Sequence, residues 1–188
     1  MKITVKNMIL VSLFAALMAV GALVKIPLAY IPITLQYMFC AFAGLLLGSR
    51  LGALSQLVYV VVGLAGVPVF TKGGGPGYVL QPSFGYLLGF ILCAYVIGLL
   101  TEKENELSFA KAAIASLAGL ALIYVIGVPY LYVILNLYLN KGLPVSKVIE
   151  VGFLVFIWKD IITGIITSYI TVRVLKILRA SDLVPVRR

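Results

Sequence analysis

Six acidic residues stand in this 188-residue chain, and only one of them falls well inside an apolar segment. Glu102, Glu104 and Glu106 share one short polar loop, Asp182 lies in the tail and Glu150 opens a late apolar run; the exception is Asp160. An ionised carboxylate at membrane depth is costly, so such a group characteristically faces a bundle interior and serves a substrate or ion path. The adjacent Lys159 offers a second reading, a purely structural ion pair. Asp160, Thr163, Gly164, Thr167 and Thr171 recur at helical spacing and draw one polar stripe along an apolar helix. Threonine hydroxyls in such a stripe bond back to their own helix or join helices, which suits the deeper Thr167 and Thr171. Thr163, one turn from Asp160, is open to either role.

A second group of residues could bind an anion. In Thr71-Lys72-Gly73-Gly74-Gly75-Pro76-Gly77 the backbone amides are unshielded and a lysine stands beside them. No Gly-Lys-Ser/Thr follows and no strand precedes, so this is not a nucleotide P-loop. A plain mobile loop is the competing reading. The flanking Phe70, Tyr78, Phe84 and Tyr86 favour a lid over a pocket, although an interfacial aromatic belt accounts equally well for one or two of them. Ala15, Ala16, Ala19 and Ala22 carry small-xxx-small spacing, which lets another helix approach closely. Internal packing and docking to a partner subunit both satisfy that spacing.

Other chemistries lack their residues. The chain has no histidine, and its two cysteines, Cys40 and Cys93, sit inside apolar runs as small buried hydrophobes, with no zinc set and no expected bridge. No nucleophile–base pair, paired carboxylate or metal-ligand cluster is present, so neither an enzyme nor a resident metal or cofactor is expected. The net charge of +9 is scattered singly at the ends of apolar segments, which argues against a nucleic-acid partner.

The elements that must position Asp160 are set by composition. With 63% apolar residues, 11% charged residues and a mean hydropathy of +1.16, the chain is a polytopic membrane protein surrounded by lipid. Apolar runs at about 8–30, 33–48, 51–65, 84–100, 112–139 and 148–178 predict an all-α fold, six transmembrane helices in one compact bundle forming a single domain over 1–188. The first run follows a short basic start but continues too far for a signal peptide. A Gly-rich connection spans 66–83, and a break is expected at Gly127-Val128-Pro129. Ten of the fifteen basic residues fall on the side of the termini; the other side receives Lys25, Lys72, Lys141, Lys147 and Lys159. Both termini are therefore expected in the cytoplasm and the Gly-rich loop outside. The tail Leu183–Arg188 is assigned no structure.

Several motifs identify a family. Ile31-Pro32-Ile33-Thr34-Leu35-Gln36 and Ala43-Gly44-Leu45-Leu46-Leu47-Gly48-Ser49-Arg50-Leu51-Gly52 resemble the first signatures of the biotin-specific S components (BioY) of energy-coupling factor (ECF) transporters. Gly63-Leu64-Ala65-Gly66-Val67-Pro68-Val69-Phe70, the Gly-rich loop and Pro82-Ser83-Phe84-Gly85-Tyr86-Leu87-Leu88-Gly89-Phe90 are similar to its central motif, and the match runs from about residue 8 to 178.

The resemblance implies a multi-pass protein of the cell membrane that captures biotin outside. It would deliver the vitamin through a T component powered by two ATPase subunits, with Ala15, Ala16 and Ala19 as the docking surface. In the family an Asp on the last helix is followed three residues later by a Lys, and both are associated with biotin binding. Here Asp160 matches but Thr163 occupies the lysine position, and Lys159 is expected to take over the missing charge. Ser83 stands where the family often has Thr. Asp160 would accept from the ureido N–H groups, and Gln36, Gln81 and Ser83 are candidates for the ureido oxygen. Tyr86 and Phe70 would pack the bicycle, beside Tyr78 and Gly74 of the lid, and Lys72, Lys159 or loop amides would meet the carboxylate. The altered Asp–Thr pair leaves open an S component for another vitamin-like ligand. A small membrane enzyme and a lone proton-coupled carrier are the readings from other classes.

Overall fold

The structure, a computed structural model, describes residues 4–104 and 106–180, so Asp182 and the tail Leu183–Arg188 lie outside the described residues. In long apolar segments only a helix satisfies every backbone N–H and C=O without water. Helices accordingly form at α1 (Val5–Leu23), α2 (Gln36–Leu47), α3 (Ser49–Leu64), α4 (Phe84–Thr101), α5 (Phe109–Val133), α6 (Val145–Ile149) and α7 (Val155–Ala180). A π-helical stretch, Ile134–Tyr138, prolongs α5; another, Glu150–Leu154, joins α6 to α7 without interruption, so the described residues form six rods. The protein is an all-α membrane protein of six helices.

Among the described residues, three of these, Val5–Leu23, Phe84–Thr101 and Phe109–Tyr138, are long and apolar enough to cross a membrane. The helices α2 and α3 have 12 and 16 residues. At about 1.5 Å per residue they reach roughly 18 and 24 Å, short of a hydrocarbon core of about 30 Å. The expected second and third spans are thus apolar but short.

At one end, Gly48 (φ +84°) lets α2 reverse directly into α3, a conformation other residues rarely adopt. Glu102, just past α4, holds the start of α3 by accepting from Ser49 N at 2.9 Å and Ser49 Oγ at 2.6 Å. The helix α4 lies centrally, packed on α2, α3 and α5, while α7 closes against α2 and α5 and α1 against α2 and α3.

Two sequence expectations are corrected at the opposite end. The first helix does not run to Tyr30: it stops at Leu23, and residues 25–34 form an antiparallel ribbon, β1 (Lys25–Ile26) with β2 (Ile33–Thr34), in register Lys25 with Thr34. Pro27 and Pro32 bound its connecting loop, each disfavouring helical geometry at the residue before it. Nor does α5 break at Gly127-Val128-Pro129. Pro129 is carried inside the helix, and the irregularity falls instead in the π stretch at Ile134–Tyr138. In lipid an open break would strand backbone groups, whereas a proline within a packed bundle is tolerated. The Gly-rich connection is irregular as expected, apart from a 3₁₀ turn at Pro76–Leu80.

Candidate binding site

Four helices, the ribbon and the Gly-rich connection place side chains around one cavity at the ribbon end of the bundle. From α7 come Phe156, Lys159 and Asp160, which i, i+3 and i+4 spacing sets on one face. The same spacing aligns Tyr86, Leu87 and Phe90 on α4. The start of α2 supplies Gln36 and Tyr37, and α5 supplies Ile123 and Tyr124. Thr34 of the ribbon, with Thr71, Tyr78 and Ser83 of the Gly-rich connection, completes the polar lining.

Asp160 is buried, and its two oxygens are treated differently. Oδ2 accepts from Tyr124 OH at 2.6 Å. Oδ1 is ion-paired with the Lys159 ammonium at 2.5 Å but accepts no hydrogen bond. Lys159 also donates to Thr34 O at 2.9 Å, which joins α7 to the ribbon. Tyr86 is held by two glycines: a Cβ at Gly127 would lie 2.6 Å from its ring and one at Gly152 2.8 Å from its hydroxyl. Its OH donates to Gly152 O at 2.8 Å, so the π stretch fixes one aromatic wall. Tyr124 meets Tyr86 edge-on at 6.4 Å and Phe153 at 4.9 Å.

Hydrogen bonds tie the cover together. Gln36 accepts from Thr34 Oγ1 at 3.1 Å and donates to Tyr59 OH at 3.1 Å, and that hydroxyl donates to Val69 O at 3.0 Å. Thr71, Tyr78 and Ser83 form a hydroxyl chain with spacings of 2.9 and 3.2 Å. Lys25 donates to Thr71 O, which fastens the ribbon to the Gly-rich connection.

Of the residues selected from sequence, Asp160, Lys159, Gln36, Tyr78, Ser83 and Tyr86 line the cavity. Phe70 stands behind it, its ring 4.4 Å from that of Tyr78 and 5.3 Å from that of Tyr59. Lys72 and Gly74 are exposed outside the lining, and Gln81, also outside it, donates its backbone N–H to Tyr78 O and accepts from Phe84 N. Thr163 donates back to Lys159 O at 2.8 Å and does not line the cavity. The α1 alanines divide: Ala15 is buried in the core, Ala19 half-buried and Ala16 exposed. Sequence reasoning missed Tyr124, Tyr37, Thr34 and Thr71. A tyrosine in an apolar span reads as core, and only the need of Asp160 for a donor could have singled out Tyr124. No group of three or more candidate metal ligands occurs among the described residues.

A six-helix apolar bundle built around an ion-paired cavity defines a small-molecule binder embedded in a membrane. The comparisons agree with that class. Residues 1–180 match the BioY family. The chain is 46% identical to a probable biotin transporter BioY of Lysinibacillus sphaericus, over 93% of this chain and 89% of that protein. It is 40% identical to the biotin transporter BioY of Thermotoga maritima, over 92% and 97%. Among solved structures, the S-component for biotin from an ECF-type ABC transporter superposes with a TM-score of 0.76 at 30% identity, covering 92% of each chain. This chain belongs to the BioY family.

Proposed function

We propose that the chain is the biotin-binding S component of an ECF-type transporter, a binder and not an enzyme. The observation that carries this reading is the buried Asp160, held between Lys159 and Tyr124 in the wall of a cavity in a BioY-family fold. Asp160 Oδ1, which accepts no hydrogen bond, suits a ureido N–H, and a charge-assisted bond of that kind is among the stronger ones. Gln36 and Ser83 line the cavity and would serve the ureido oxygen, while Tyr86, Phe90 and Phe156, in the same lining, would give the bicycle an apolar and aromatic surface. Every polar group of a buried ligand must be paired or affinity is lost.

In this reading the chain is a multi-pass protein of the cell membrane, with cytoplasmic termini and an outward-facing cavity. A T component and two ATPase subunits energise release, and the exposed Ala16 and half-buried Ala19 face of α1 meets the T component. The test is equilibrium binding of biotin to the purified chain in nanodiscs, without nucleotide or partners. Saturable one-to-one binding supports the proposal; a folded chain that binds no biotin overturns it. Thr163 at the family's lysine position favours one alternative, another vitamin-like ligand, which a competition panel of vitamins would reveal.

A further inference from the structure

We propose that Lys25, on the ribbon, is the residue that receives the acid end of the ligand and makes the site selective for a free carboxylate. The assignment rests on the biotin-binding reading above and deepens it.

The charge inventory of the cavity is the starting point. Lys159 is the cation in its lining, and its charge is already balanced by Asp160 at 2.5 Å. With two of its contacts committed to Asp160 and Thr34 O, Lys159 leaves the interior close to neutral. A ligand carboxylate placed there would meet Asp160 as a like charge, which is unfavourable in a partly dry site. The acid end therefore belongs at the mouth, beside a cation that no carboxylate neutralises.

Lys25 meets that requirement. In the ribbon it stands directly opposite Thr34, and directly opposed residues of an antiparallel pair project from the same face. Thr34 turns its hydroxyl to Gln36 and lines the cavity, so the face it shares with Lys25 is the cavity face. The Lys25 ammonium reaches the carbonyl of Thr71, itself a lining residue. It thus bridges the two segments that cover the mouth. Among the described residues its hydrogen bond is to that neutral carbonyl, and it forms no ion pair. The acidic side chains Glu102, Glu104, Glu150 and Asp160 are engaged elsewhere, with Ser49, Lys111, Lys147 and Lys159 respectively.

Lys72 is the rival cation. It neighbours Thr71 in sequence and, like Lys25, is exposed and outside the lining, but no hydrogen bond fixes it towards the cavity as the bond to Thr71 O fixes Lys25. A carboxylate at Lys25 would also adjoin the hydroxyl chain of Thr71, Tyr78 and Ser83, whose protons can rotate towards an anion.

The experiment compares biotin with biotinol, the same molecule with an alcohol in place of the acid, on the purified full chain in nanodiscs. The expected result is that the parent prefers biotin by about tenfold and that Lys25→Met brings the biotin-to-biotinol ratio close to one, the lost bond to Thr71 O weakening both ligands alike. Lys25→Gln should behave like Lys25→Met, and Lys25→Arg should keep the preference. An unchanged biotin-to-biotinol ratio in both neutral variants would overturn the assignment while leaving the biotin reading intact. So would a parent that binds both ligands equally, or a preference lost in Lys72→Met instead. A parent that binds neither ligand would sink the biotin reading and this assignment with it.

Discussion

Lys159 and Asp160 are consecutive in the chain, yet their charged ends meet at 2.5 Å. Successive residues on a helix point about 100° apart, so the lysine stem must fold across the helix surface to bring its ammonium back to the carboxylate. A second anchor, Thr34 O at 2.9 Å, holds it there. The pair is therefore a structural ion pair and part of the cavity wall at once.

Breaking the pair from either side should be costly, because each change strands the other charge. Asp160→Asn removes the charge that balances Lys159, and Lys159→Met leaves Asp160 with Tyr124 as its remaining partner. Each single variant is expected to lose affinity for biotin by at least about tenfold, since removing one member of a buried pair costs more than the pair itself contributes. The double variant should be less impaired than the product of the two single losses. Titration calorimetry on the four proteins would check this, and strict additivity would count against coupling.

Tyr124→Phe isolates the second contact of Asp160. It keeps the ring that packs edge-on against Tyr86 and Phe153 and deletes only the hydroxyl 2.6 Å from Oδ2. A hydrogen bond to a charged group contributes about 1.5–3 kcal/mol, so affinity should fall by roughly ten- to a hundredfold. Affinity equal to the parent would mean that Asp160 is oriented without Tyr124.

The six apolar runs, and Asp160 as the one acid among them, were legible because composition and the cost of a membrane-depth charge act locally. The ribbon at 25–34 was not. Strands of two residues carry no alternation to read, and Pro27 signals only that a helix ends. The placing of Lys72 and Gly74 failed for a related reason: a Gly-rich loop reveals that the backbone is free to turn but not which side chains turn inward. Thr71 is buried and Lys72, one residue later, is exposed. Tyr124 became visible only once α5 and α7 were packed together, which sets which tyrosine reaches the acid.

Close helix approach yields a stability prediction. A Cβ at Gly98 would lie 2.1 Å from Ser49 N, against the α2–α3 turn that Glu102 holds. Gly98→Ala must push α4 away from that turn, whereas Gly77→Ala meets nothing within 4 Å and has no positive φ to lose. Thermal unfolding in detergent should show a clear fall in Tm for Gly98→Ala, of the size expected for overpacking, about 1–3 kcal/mol, with Gly77→Ala near the parent. Equal Tm values for the two variants would mean that the α4 contact is looser than the structure describes.

The departure at Thr163 can be tested by moving the charge back. Thr163 lies one turn beyond Lys159 on the same side of α7, its hydroxyl bonded to Lys159 O at 2.8 Å, and three residues after Asp160. A lysine there starts within reach of Asp160 from the other side, since i and i+3 residues are neighbours on a helix. Thr163→Lys placed in the Lys159→Met background should restore a large part of the lost biotin affinity, because the charge that balances Asp160 returns. It should not restore the bond to Thr34 O, so recovery should be incomplete and ligand release faster than in the parent. Binding kinetics on the parent, the single variant and the double variant separate the outcomes. If the double variant stayed as weak as Lys159→Met, the position of the ammonium at the ribbon, and not its charge beside Asp160, would be what the site requires.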